Sequence, residues 1–156
     1  MNTLEIKRYL ERSETTRDVF LNVYALDQLP KEKLPQERWL LVCNCCPANM
    51  TGEHWIAMFY ENETLEFFDS FGLSPERYDR GKDDRISAFM RAQRPQKGVV
   101  FNNERLQSYE SDGCGHYCIL YGFHRCRGEP FGAIVASLTA LTRDTVVKYI
   151  VSTLLF

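Results

Sequence analysis

Cys114 stands in the run Asp112-Gly-Cys-Gly115, and a mostly apolar stretch of helical character starts directly after it. A cysteine at the start of a helix lies against the positive end of the helix dipole, which favours the thiolate. The flanking glycines leave room for a peptide backbone to approach the sulfur. Glu110 and Asp112 pull the other way, because nearby anions raise a thiol's pKa. Nucleophilic chemistry at Cys114 therefore requires an imidazolium partner. The competing reading is a helix-start cysteine packed into a core.

A candidate partner lies in two strand-like runs, His54-Trp-Ile-Ala-Met-Phe-Tyr60 and Thr64-Leu-Glu-Phe-Phe-Asp-Ser70, joined by the polar Glu61-Asn62-Glu63. These predict a β-hairpin. In the register where paired residue numbers sum to 123, His54 stands opposite Asp69, Ile56 opposite Phe67 and Met58 opposite Leu65. An imidazole and a carboxylate then meet at the open end of the hairpin, on its apolar face; a slip of one residue breaks the pairing. Such a carboxylate fixes the imidazole tautomer and stabilises its cation. His116 and His124 are predicted as half-exposed helix residues, since residues two apart on a helix do not face one another and His116 is two from Cys114. Cys118, one turn on, is predicted to point inward.

The other cysteines, Cys43, Cys45, Cys46 and Cys126, read as core residues. Zinc calls for ligand pairs at C-x2-C or H-x3-H spacing, which Cys43-Asn-Cys45-Cys46 and His54 do not supply. No metal or cofactor is expected.

The elements that must position these residues can be drafted from the pattern. Thr3 is the predicted cap of a helix with Ile6, Tyr9 and Leu10 on one face. The segment 18–29 is mixed, and a charged loop spans 30–38. Trp39–Cys46 reads as a buried strand ended by Pro47. Asp84 is the predicted cap of a helix through Gln93 with Ile86, Phe89 and Met90 inward, halted by Pro95. Gly98–Asn102 is a short strand. A helix from Gly115 to about Arg127 ends at Gly128 and Pro130, and two more cover 131–142 and 145–154. Strands in the middle with helices at the end favour an α+β fold with a small, mainly antiparallel sheet.

Composition bounds the function. A chain of 156 residues with 44% apolar content suits one domain, taken as residues 1–156. A net charge of −2, from 19 basic and 21 acidic residues, excludes a tail-driven nucleic-acid binder. Ten Phe, eight Tyr and two Trp exclude a disordered chain. The uncharged run near the C-terminus falls short of the ~20 apolar residues of a membrane helix. The first residues lack a signal-peptide core, so an intracellular, reducing compartment is expected, without disulfides or a membrane.

The ordered set Gly52-Glu-His54-Trp55, Phe68-Asp69-Ser70-Phe71-Gly72, Gln107 and Cys114-Gly-His-Tyr-Cys118 resembles the adenovirus-type (adenain-like) cysteine proteases. Its wording is most similar to the versions carried by virus-like Maverick/Polinton transposons. The likeness runs from about Phe20 to the C-terminus. It implies a papain-like α+β fold with chain order His-Asp-Gln-Cys. It also implies Cys114 as nucleophile, His54 as general base, Asp69 as the residue orienting His54, and Gln107 as oxyanion-hole donor beside the Cys114 N–H. The implied function is a cysteine endopeptidase cutting after small residues, at Gly-X-Gly or Gly-Gly type sites, in capsid or core precursors. The host nucleus or cytoplasm, or the virion itself, is the implied location.

The SUMO- and ubiquitin-like-protein proteases share this fold and order, which makes a deconjugating protease the alternative. An inactive protease-fold binding module is the alternative of another class. An activating peptide and DNA are the partners the resemblance adds. No cysteine stands near Gln96, where the adenovirus-type enzyme takes its disulfide-linked peptide. The segment 77–105 carries a local excess of Lys and Arg, read as a solvated connection rather than a phosphate-binding surface.

Overall fold

The Trp55–Tyr60 segment is apolar at every position, and so are five of the six residues of Trp39–Asn44. Runs like these belong to strands covered on both faces. A computed structural model describes residues 1–50, 54–79, 81, 83–140 and 144–154. In it β1 (Phe20–Tyr24), β2 (Trp39–Asn44), β3 (Trp55–Glu61), β4 (Thr64–Phe68) and β5 (Val99–Phe101) form one sheet in that spatial order. The α+β class holds. The sheet is mixed: β2, β3 and β4 are antiparallel, while β1 and β5 run parallel to their neighbours. The edges are parallel because long connections, 25–38 and 69–98, bring the chain back to the same end.

β1 falls in the segment read only as mixed. Its register shifts between Phe20 and Val23, which breaks the alternation that would have announced a strand. The central hairpin is tighter than predicted. Glu61 pairs with Thr64, and only Asn62 and Glu63 turn the chain, with φ of 50° and 61°. Two successive left-handed residues suit the right-handed twist of a two-residue hairpin turn. The register therefore differs by two from the expected one, with Ala57 opposite Phe68 and Met58 opposite Phe67. A shift of two preserves the faces, so Ile56, Met58, Leu65 and Phe67 share one core as expected.

The helices are α1 (Thr3–Arg12), α2 (Arg85–Ala92), α3 (Cys114–Cys126), α4 (Phe131–Ala140) and α5 (Asp144–Leu154). Asn2, not Thr3, caps α1 by exchanging bonds with Glu5, whose side chain is long enough to reach back to the cap N–H. Asp84 makes no cap bond because its carboxylate is taken by Arg91 at 2.6 Å. α2 covers one face of the sheet with Ile86, Phe89 and Met90. The other face, with Leu40, Val42, Ala57, Phe59 and Phe68, is covered by α3 together with α1, α4 and α5. No helix among the described residues is long and apolar enough to cross a membrane.

α3 is bound to the sheet by charge as well as by packing. Arg125 Nε donates to both oxygens of Glu66 at 2.9 and 3.0 Å, and the Tyr121 hydroxyl donates to Glu66 Oε2 at 2.5 Å. The Glu66 and Arg125 side chains are only 7% and 12% exposed. Arg125→Ala strands the Glu66 carboxylate in the core and is expected to cost about 3–5 kcal/mol. Urea unfolding measures this; a loss below about 1 kcal/mol, the range of an exposed pair, would show that the pair is not holding α3.

Candidate active site

His54 directly precedes β3 and Asp69 directly follows β4, so one hairpin presents both at its open end. His54 Nε2 lies 2.6 Å from Asp69 Oδ1, with His54 7% and Asp69 0% exposed. A carboxylate only accepts, so Nε2 carries a proton and Nδ1 is the nitrogen at which the ring gains or loses one. Nδ1 is buried, takes part in none of the other hydrogen bonds described and interacts with the Cys114 thiol.

Asp69 is held from every side. The Phe71 N–H donates to Oδ1 at 3.0 Å; the Leu73 N–H and the Tyr78 hydroxyl donate to Oδ2 at 2.9 and 2.7 Å. Asn102 grips its main chain, accepting from Asp69 N at 3.0 Å and donating to Asp69 O at 2.6 Å. Burial, followed by the Asp69 charge, raises the Tyr78 pKa and keeps that hydroxyl a donor. The Phe71 and Tyr78 rings lie nearly parallel to the imidazole, at centroid distances of 4.5 and 6.0 Å. Gly72 closes this turn at φ 69°; a Cβ there would stand 2.6 Å from the Glu104 main chain, so the position demands glycine.

Cys114 is the first residue of α3 and is buried. Burial opposes its thiolate, but the hydrogen bond and charge of His54, then the N–H groups of Trp55 and Gly115, outweigh it and lower the thiol pKa. Burial likewise opposes the His54 cation. The bonds and charges of Asp69 and Cys114 overcome this and raise His54 to about 9. The two groups titrate together as a thiolate–imidazolium pair. Burial moves the other core thiols the opposite way: Cys43, Cys45 and Cys118 rise, and Cys126 rises to about 11. Asp112, expected to oppose the thiolate, is exposed and ion-paired with Lys148.

Gln107, 1% exposed, comes to the site through Ser70. The Ser70 carbonyl accepts the Leu106 and Gln107 N–H groups at 2.8 and 3.0 Å, and the Ser70 hydroxyl donates to Gln107 Oε1 at 2.7 Å. Gln107 Nε2 donates one proton to the Ser111 carbonyl at 2.5 Å. Its second proton has no partner among the bonds described. The Ser111 hydroxyl in turn accepts the Gly113 N–H at 3.1 Å, which ties this loop to the start of α3.

The structure thus joins His54 to Asp69 directly, couples Cys114 to His54, and links Gln107 through Ser70 and Ser111. His116 and His124 are half-buried on α3, as expected; His124 pairs with Glu129 at 2.7 Å, and neither joins the site. Cys118 is fully buried. Gly52 and Glu53 lie outside the described residues. Sequence reasoning missed Tyr78 and Asn102. Tyr78 stands in a charged connection and Asn102 at a strand end, and neither position carries a pattern.

The family model of the adenovirus endoprotease matches residues 21–154. No curated protein matches in sequence. A crystal structure of the African swine fever virus (ASFV) protease is similar, with a TM-score of 0.66 and 18% identity over 96% of this chain. The chain spans 65% of the length of that protease. The SUMO protease Ulp1 matches at a TM-score of 0.50 and 10% identity, over 100% of this chain and 79% of its own. The central domain of the Legionella pneumophila protein Lpg1148 matches at 0.53 and 14%, over 99% and 95%. The expected papain-like α+β arrangement is the fold that this chain shares with the ASFV and SUMO proteases.

The pair predicts its own pH profile. Cys114 is expected to react with iodoacetamide well below the ordinary thiol range, and the ion pair to be lost as pH rises through about 9, where His54 gives up its proton. In His54→Ala only burial and two N–H groups act on the thiol, so its titration moves up and alkylation at neutral pH slows. An unchanged profile in this variant would show that no ion pair exists.

Proposed function

The chain belongs to the adenovirus endoprotease family, a family of cysteine peptidases, and from that premise we propose that it is an endopeptidase whose nucleophile is Cys114. The observation that carries this reading is the Asp69–His54 bond, which leaves Nδ1 as the only ring nitrogen open to the thiol.

In this mechanism His54 Nδ1 takes the Cys114 proton and the thiolate adds to the carbonyl carbon of the scissile peptide. The carbonyl electrons move onto oxygen. The free Nε2–H of Gln107 and the Cys114 N–H hold that oxyanion, since the first N–H groups of a helix have no partner within it. Collapse of the adduct expels the amine, which takes the proton from Nδ1. Water, activated by the same nitrogen, then cleaves the thioester. Asp69 keeps Nε2 protonated and the ring in place through both steps.

The substrate is a polypeptide, cut after glycine at Gly-X-Gly or Gly-Gly type sites. Capsid and core precursors of a virus or virus-like element are the substrates that the family likeness supports. A reducing compartment suits a reaction that depends on a free thiol, and all six cysteines are free.

The test is covalent. A glycine-directed peptide vinyl sulfone is expected to label Cys114, by mass spectrometry, in the wild type and not in Cys114→Ala. Gln107→Ala is expected to slow turnover about 10²–10³-fold, or about 2.7–4 kcal/mol of barrier. Labelling only by a SUMO or ubiquitin suicide probe would move the reading to a deconjugating protease. Labelling of Cys118 in its place would move the nucleophile.

A further inference from the structure

Loop 106–113 carries Gln107 and leads into Cys114, yet it contains no helix or strand. Its shape must come from what it is tied to. Ser70 holds one side, as described above. On the other side, bonds converge on a single carboxylate. Asp144, the first residue of α5, accepts the Ser108 hydroxyl on Oδ2 at 2.6 Å and the Tyr117 hydroxyl on Oδ1 at 2.9 Å. The Ser108 N–H points at the same Oδ2 from 3.4 Å. The Tyr117 hydroxyl also lies 3.0 Å from the Leu106 carbonyl, so its one proton is shared between two acceptors.

Leu106 and Ser108 flank Gln107 on either side. The far end of the loop is tied to the same helix: Lys148 of α5 forms an ion pair with Asp112, two residues before Cys114. α5 is itself fixed, because Val147 and Val151 are fully buried in the core that contains α3. A carboxylate at a helix start is favourable on its own account. That alone does not explain why this one accepts from both Ser108 and Tyr117.

We infer that Asp144 is a positioning residue for the oxyanion site: through Ser108 and Tyr117 it fixes the peptide that bears Gln107, and so sets where the free Nε2–H points. This rests on the reading of Gln107 as an oxyanion donor. Burial works against the Asp144 anion, but the Ser108, Tyr117 and Ser111 groups outweigh it and hold its pKa below the usual carboxylate value. The clamp is therefore charged throughout the neutral range.

Two reagents separate this role from a general one in folding. Iodoacetamide reports the Cys114 thiolate alone. A glycine-directed peptide aldehyde adds the Cys114 sulfur to its carbonyl carbon, and the oxygen of the resulting hemithioacetal occupies the oxyanion site. Asp144→Ala is expected to bind the aldehyde about tenfold more weakly and to lose about tenfold in kcat, with KM and the alkylation rate little changed. Asp144→Asn keeps one acceptor oxygen and should fall between Ala and wild type. Thermal unfolding of both variants confirms that the folded protein is compared. Equal losses with both reagents would assign Asp144 to folding and overturn the inference. Weakened aldehyde binding in Gln107→Ala but not in Asp144→Ala would overturn it while sparing the reading of Gln107. Unchanged binding in Gln107→Ala would overturn that reading itself.

Discussion

A buried imidazole is ordinarily driven toward its neutral form, and a buried thiol toward its protonated one. His54 and Cys114 depart from both tendencies, and the interaction that reverses them is the bond from His54 Nε2 to Asp69 Oδ1. It fixes the tautomer, leaves Nδ1 for Cys114 and stabilises the cation that lowers the thiol's pKa. The bond in turn depends on a carboxylate that is itself fully solvated by protein. Two main-chain N–H groups, the Tyr78 hydroxyl and the imidazole share its two oxygens. A carboxylate buried this deeply needs such a set of donors in place of the water that it has lost.

The fold serves this arrangement by covering the sheet on both faces and leaving the work to one end of it. The hairpin delivers acid and base together, and the same Phe68-Asp69-Ser70-Phe71-Gly72 turn that ends β4 reaches Gln107 through Ser70. α3 presents its first residue to that end while the Glu66–Arg125–Tyr121 network locks its last turns to β4. Cys114 opens a helix, and His54 and Asp69 adjoin the paired ends of two neighbouring strands. Gln107 stands on a loop, and bonds to Ser70 and Ser111 hold it there.

Much of the site was legible in the sequence because its signals are local. A helix-start cysteine between glycines and a hairpin ending in His and Asp are readable over a few residues each. The face of the hairpin was right although its register was off by two, because only parity decides which face a strand residue occupies. Parallel β1 and β5 were harder to see, since a parallel pairing leaves no turn to read and β1 breaks its own alternation at a shifted register. Tyr78 and Asn102 were invisible for a related reason. Each acts through one bond across the fold, and nothing in its neighbours in sequence reports that bond.

The His54–Asp69 contact closes over 15 residues and the Asn102, Ser70 and Asp144 ties over 33 to 37, whereas His54 and Cys114 stand 60 residues apart. Loop-closure entropy rises with separation, so the His54–Asp69 pair is the cheapest part of the site to assemble, and the approach of Cys114 is the dearest. Along a chain made from its N-terminus, the His54–Asp69 pair is therefore in place before Cys114 arrives. The loop that bears Gln107 gains its final anchor only when α5 has emerged. A chain that ends short of residue 114 carries the paired histidine without the thiol that it would act on.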